Sequence, residues 1–138
     1  DLGLLPALQW QVKRMASESG IRVEFHHFGV NGRLDSETET AAYRIVQEGL
    51  TNVARHAKTS AAVLTVNEME TALDITIEDK GVGFDPQALT QRVSSVGLDS
   101  MRESAGLLGG HLSVFSVPGQ GTTLKVQLPL VADREGRR

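Results

Sequence analysis

The chain has 138 residues, 40% of them hydrophobic, which is enough for one domain with one core and too little for several. Seventeen acidic against fourteen basic residues leave a net charge of -3, without the basic surplus that accompanies nucleic-acid binding, and the absence of cysteine excludes a disulfide framework, a thiolate zinc site and a cysteine nucleophile. No apolar run approaches the roughly 20 residues that span a bilayer, and the opening Asp1-Leu2-Gly3-Leu4-Leu5-Pro6, with neither initiator Met nor basic signal flank, reads as excised from something longer.

Leu4, Leu5, Leu8, Val12, Met15 and Ala16 recur at helical spacing, so a first helix is predicted over 4–19, with Pro6 tolerated in its first turn and Gly20 as its stop. Trp10 is read as a core or partner-facing anchor of that helix. Ile21, Val23 and Phe25 alternate with Arg22, Glu24 and His26 in a half-buried strand that ends near Gly29 to Gly32. Adjacent His26 and His27 fall on opposite faces of it with no partner at metal-ligand spacing, so both are read as structural, as is His111. Ser36 is expected to cap the next helix while Glu39 reaches back to its amide, and Asp35, Glu37 and Glu39 suit the positive end of the dipole. That helix is predicted to run to about Ala57.

Ala61 to Val66 and Leu73 to Ile77 then pair as a hairpin across the polar turn 67–71. Residues 84–96 read as a loop, and Leu98, Met101, Ala105 and Leu108 as a short helix closed by Gly109-Gly110. Two last strands, with Leu112, Val114 and Val117 before the turn Pro118-Gly119-Gln120-Gly121 and Leu124, Val126 and Leu128 after it, leave a charged tail at 133–138. The pattern predicts an α+β fold, one sheet covered by helices on one face.

Three places carry chemistry. Glu48, Asn52 and His56, four apart on the long helix, form one polar stripe beside the apolar arc of Ala42, Val46, Leu50 and Val53, and so stand at a core margin where a cleft forms. With Arg55 and Lys58 they suit a hydrated Mg²⁺ and phosphate oxygens, although a solvated helix face with a Glu–His pair has the same spacing. Asp79-Lys80-Gly81-Val82-Gly83 sits where a strand ends: two glycines let backbone approach a flat ligand or phosphate, and the carboxylate accepts from an exocyclic amine, while a simple turn remains the other reading. Gly97-Leu98 and Gly119-Gln120-Gly121-Thr122 are, taken singly, a helix entry and a hairpin turn. Neither a Walker A loop nor a Rossmann glycine pattern occurs: no Gly-Lys-Ser or Gly-Lys-Thr is present, and residue 86 is Pro.

Taken in order, Glu48-x-x-x-Asn52-x-x-x-His56, Asp79-x-Gly81-x-Gly83, Gly97-Leu98 and Gly119-x-Gly121-Thr122 resemble the N, G1, G2 and G3 boxes of the GHKL ATPases. Tyr43 to Ala57, with Gly97-Leu98-x-x-Met101-Arg102-Glu103, resembles the catalytic ATP-binding domain of bacterial sensor histidine kinases of the NarL/DesK-like subfamily, and the likeness spans about residues 2–130. The resemblance implies a Bergerat-type two-layer α/β sandwich, a mixed sheet of about five strands covered on one face by three helices, with the catalytic domain at 1–132 and a tail at 133–138. It implies ATP and Mg²⁺ as cofactors. Asp79 would hold the adenine amine, Thr122 would assist through water, Gly81 and Gly83 would open a lid loop, Asn52 would ligate Mg²⁺, and Arg55, His56 and Lys58 would face the phosphates. Glu48 matches the acidic position that activates water in GHKL hydrolases, whereas a histidine kinase has to spare ATP from water. Lys80 stands where Asn is frequent, and the Gly97 region carries one glycine instead of a longer run.

The family's acceptor histidine is followed by an acidic residue, yet His26, His27, His56 and His111 are followed by His, Phe, Ala and Leu. The resemblance therefore implies the kinase half without its acceptor: a cytoplasmic domain, without membrane or nucleic-acid contact of its own, that phosphorylates a histidine on a separate dimerisation domain upstream of a NarL-type response regulator. The alternatives are an anti-sigma-factor serine kinase of the same fold and a non-catalytic nucleotide-sensing module.

Overall fold

The structure, a computed structural model, describes residues 3–30, 32–85 and 96–130. In chain order these form α1 (Leu4–Ser19), β1 (Arg22–Phe28), α2 (Ser36–Asn52), a π-helical turn (Val53–Ala57), β2 (Ala61–Glu68), β3 (Ala72–Asp79), α3 (Val96–Leu107), β4 (His111–Val117) and β5 (Gly121–Pro129). The sheet order is β1-β2-β3-β5-β4, with β1 and β2 parallel and the other neighbours antiparallel. A parallel pair needs a crossover, which α2 supplies. This is the mixed five-stranded sheet with three helices expected from the sequence. The predicted loop 84–96 and the tail lie, except for residues 84, 85 and 96, outside the described residues.

Alternation decides which sheet face is covered. Leu64 and Val66 of β2, Leu73, Ile75 and Ile77 of β3, and Leu124, Val126 and Leu128 of β5 are buried on one face under Ile45, Val46 and Leu50 of α2 and Met101 and Ala105 of α3. Asp74, Thr76, Thr123 and Lys125 stand on the opposite face, without a helix layer. Leu4 and Leu8 anchor α1 in the same core, and buried Gln11 donates through Nε2 to Tyr43 O of α2 at 3.0 Å. Gly20 ends α1 in the left-handed region as expected (φ 72°), its N–H donating to Ala16 O. Ala16, placed on the apolar stripe from spacing, faces solvent, and Trp10, read as a core or partner-facing anchor, is exposed against the Arg14 guanidinium and not in the core.

The start of α2 corrects the sequence reading by one residue. Asp35, not Ser36, is the cap: its Oδ2 accepts from Glu37 N at 3.3 Å, and its carbonyl accepts from Glu39 N at 2.9 Å. Glu39 reaches back past Ser36 to accept from Leu34 N at 2.9 Å and clasps the Arg33 guanidinium at 3.0 Å. A charged partner outside the helix outcompetes the simpler box, because a charge-assisted bond is about twice as strong as a neutral one. α2 also departs from α geometry before its predicted end: from Val53 to Ala57 it widens into a π turn, closed by Lys58 in the left-handed region (φ 56°).

Burial raises the Glu39 carboxyl, but the Arg33 hydrogen bond, the Leu34 amide and the Arg33 charge together outweigh it and hold its pKa below the ordinary carboxylate value. A depressed folded pKa stabilises the fold above the unfolded value of about 4.3 and loses that contribution as pH falls through the folded one. Glu39→Gln is accordingly expected to lower the melting temperature at pH 7 by an amount that holds down to about pH 5 and closes below about pH 4. Thermal melts of both proteins across that range check it.

Candidate functional site

A cavity of about 260 Å³ opens where α2 and its π turn lie over the ends of β3 and β5. Ile77 and Leu124 make an apolar floor, Val53 and Leu98 the walls, and Asn52, His56, Asp79 and Thr122 bring polar atoms to the rim. Residues from three distant stretches of chain, each singled out from the sequence, thus meet around one space. Gly83 and Leu98 of the predicted set also line it. Arg55 and Lys58 are exposed at the end of the π turn and do not form its lining.

The helix geometry brings Asn52 and His56 into line. Four residues of α-helix overshoot a full turn by about 40°, and a π turn, with more residues per turn, removes part of that overshoot. Basic Arg55 and His56 in this last turn also suit the negative end of the helix dipole.

Asp79 closes β3 and turns its carboxylate inward, where Oδ1 accepts from Gly81 N at 2.8 Å. Oδ2 has no hydrogen-bond partner among the described residues. Gly81 has to lack a side chain, since a Cβ there would collide with Ala57 O, the carbonyl that accepts from Val82 N at 2.8 Å. That bond ties the sheet to the π turn. Gly83 (φ 65°) and Gly121 (φ 89°) bring the two glycine turns back to back, and Gly119 N donates to Val82 O at 2.5 Å.

Glu48 lies outside the cavity lining but meets Asn52 at the entry of α3. A methyl on Gly97 would come within 2.7 Å of Glu48 Oε2 and 3.4 Å of Asn52 Oδ1, so the bare glycine leaves a small cradle that two oxygens face. The described residues hold no group of three His, Asp or Glu side chains able to cage an ion. The Asn52 amide oxygen is instead a donor of the kind taken by a hard cation that keeps waters and draws its remaining ligands from a phosphate, as Mg²⁺ does.

Ser116 escaped the sequence reading. Its Oγ accepts from Phe84 N at 2.8 Å, donates to Gly121 O at 3.1 Å and lies 2.8 Å from Thr122 Oγ1. The available signal was its place in β4, where Leu112 and Val114 face inward and Ser116, in phase with them, is a hydroxyl on an otherwise apolar face.

Comparison with known proteins agrees with this geometry. Residues 37–132 match the family described as histidine kinase-, DNA gyrase B- and HSP90-like ATPase. The chain is 36% identical over 133 residues to the signal transduction histidine-protein kinase/phosphatase DegS of Brevibacillus brevis, covering 96% of this chain and 34% of that protein. It is 38% identical over 98 residues to the sensor histidine kinase LiaS of Bacillus subtilis, covering 71% of this chain and 27% of that protein. The chain therefore spans about a third of the length of the curated relatives it matches. Among solved structures, the blue-light activated histidine kinase of Erythrobacter litoralis EL346 superposes with a TM-score of 0.74 at 22% identity, over 96% of this chain and 43% of that one. Its histidine kinase domain gives 0.67 at 23% identity, over 86% and 61%. At that identity the likeness is one of fold.

Gly81→Ala is expected to force the strand end off the π turn and to cost about 1–3 kcal/mol, because the colliding atom is backbone and cannot rotate away. Urea unfolding of the variant measures it.

Proposed function

The chain belongs to the family of histidine kinase-, DNA gyrase B- and HSP90-like ATPases, and from that premise we propose that it binds ATP with Mg²⁺ and donates the γ-phosphate to a histidine on a separate helical dimerisation domain of its parent kinase. The observation that carries the reading is the convergence of Asp79, Asn52, His56 and Thr122 on one apolar-floored cavity. A flat purine fits between the Ile77–Leu124 floor and α2, and its amine donates to Asp79 Oδ2, the oxygen that Gly81 leaves free. Thr122 assists beside it, directly or through water. Gly83 lets the chain after β3 start close to the base, and Gly97 and Leu98 pass near the base and the phosphates.

Asn52 Oδ1, at the Gly97 cradle, is the ligand this chain offers Mg²⁺, and Arg55, His56 and Lys58 reach toward the phosphates from the same end of the helix. When bound, Mg²⁺ neutralises charge on the β- and γ-phosphate oxygens. Phosphoryl transfer asks little covalent chemistry of the protein, so the residues here act by holding the nucleotide and offsetting charge. Glu48, facing the cradle beside Asn52, is the carboxylate placed to accept an N–H of the incoming imidazole and orient it.

The acceptor domain, a NarL-type response regulator downstream of it and a cytoplasmic setting belong to the same proposal. No helix among the described residues is long and apolar enough to cross a membrane. The support for this wider scheme is the kinship to sensor histidine kinases and the four histidines of the chain, none followed by an acidic residue.

The test is γ-labelled ATP with the chain alone, then with the parent's histidine-bearing helical domain. Acid-labile label is expected on the added domain and none on this chain. Asp79→Asn is expected to weaken ATP binding roughly 10- to 100-fold without unfolding, since a charged acceptor is exchanged partly for a donor. Acid-stable label on a partner would point instead to a serine kinase, and label on this chain alone would overturn the division of labour.

Asn52→Ala is expected to act through the metal. The gain in ATP affinity that Mg²⁺ brings over EDTA should shrink toward none, and calorimetry in the two buffers measures it. An equal loss in both buffers would make Asn52 a packing residue only.

A further inference from the structure

We propose that Ser116 is a positioning residue that sets base specificity by fixing the direction of the Thr122 proton; the inference rests on the ATP reading above.

The available protons fix the direction of each bond. Ser116 Oγ carries one hydrogen and two lone pairs. Gly121 O is a carbonyl and can only accept, so the 2.8 and 3.1 Å network spends the serine hydrogen on it. Phe84 N can only donate, so it occupies one lone pair. The remaining contact, 2.8 Å from Ser116 Oγ to Thr122 Oγ1, then has one consistent direction: Thr122 donates. Ser116 is saturated, and Thr122, its proton turned away, presents only lone pairs to the cavity it lines.

Asp79 is the direct cross-strand partner of Thr122 in the β3–β5 register. Its Oδ2 is likewise an acceptor. Two side chains opposite each other on adjacent strands lie about 5 Å apart at Cβ, a span that one water bridges. A water there gives both protons to Asp79 and Thr122 and keeps only lone pairs for the base. Whether the base meets the side chains or that water, it has to donate. A 6-amino purine does so through its exocyclic amine; a 6-oxo purine puts a carbonyl acceptor at that position, keeps only its ring N1–H to donate, and is disfavoured. Without Ser116 the Thr122 hydroxyl is free to rotate and donate, which relaxes the rule.

The experiment compares ATP with its 6-oxo counterpart, inosine triphosphate, by calorimetry on the full chain. Wild type is expected to favour ATP. Ser116→Ala is expected to narrow the ATP to ITP affinity ratio by about fivefold, the worth of one ordinary hydrogen bond, and Ser116→Thr, which keeps the hydroxyl, to restore it. In a Thr122→Val background Ser116→Ala should leave the ratio where Thr122→Val alone puts it, because the serine acts through that hydroxyl. A Ser116→Ala protein that melts normally and weakens both nucleotides equally, or leaves the ratio intact, would overturn the proposal. Wild type binding neither nucleotide would overturn the ATP reading beneath it, a result distinct from the first two.

Discussion

The cavity depends on the register of β3 against β5. Leu73 opposes Leu128, Ile75 opposes Val126 and Ile77 opposes Leu124, and the next pair on that face is Asp79 with Thr122. The candidate site is the place where an apolar ladder turns polar. Because side chains alternate, slipping one of these strands by one residue would turn its three buried side chains to the uncovered face, at a cost of about 5–9 kcal/mol. That is comparable to the whole stability of a small domain. The same burial that builds the core therefore holds a carboxylate and a hydroxyl opposite each other, and no separate device is needed to place them.

The helix side of the cavity is fixed less heavily. α2 packs its apolar arc on the sheet, but its last turn, which carries Arg55 and His56, is π-helical and ends in a left-handed lysine. What holds that turn to the sheet is the bond from Val82 N to Ala57 O, made possible by the bare Gly81. Val82 O in turn accepts from Gly119 N, so the π turn, the turn after β3 and the turn between β4 and β5 form one chain of backbone bonds. A shift of any of the three would be felt by the other two. The Asp79 end and the His56 end of the cavity are in this way joined along its rim by backbone, while its interior is left to side chains.

Most of the fold was legible because its strands alternate and its helices keep their apolar period. The hairpins and the order of elements followed from local pattern, and the grouping of Asp79, Asn52 and Thr122 in one site from the resemblance of four segments, taken in order, to the GHKL boxes. What was not legible depended on competition between distant or alternative partners. Ser36 looked like the cap because its hydroxyl and Glu39 stand at the right spacing, yet Arg33 lies outside that window and draws Glu39 to itself. The π turn was not legible either, and the bond that its last carbonyl, Ala57 O, accepts comes from Val82 N, 25 residues on. Ala16 kept the helical period but had no element above it to be buried against. Ser116 was hidden for a different reason: one hydroxyl in a strand means little until Phe84, Gly121 and Thr122 are brought around it by folding.

The geometry also bears on the proposed transfer to an acceptor from elsewhere. An attacking imidazole has to approach in line with the bond that breaks. His56 lines the cavity from the helix that would hold the phosphates, so it stands beside them and is fixed there by its own backbone. His26 is paired with Glu24 at 2.6 Å and His27 lies against the Phe25 ring, both on β1, which β2 separates from β3 and the cavity. His111 starts β4, at the opposite end of that strand from Ser116 and the site. Among the described residues, none of the four histidines is placed to swing into line with a group held in this cavity. That is in keeping with the proposed division of labour, in which an acceptor histidine is brought to the cavity on a second domain.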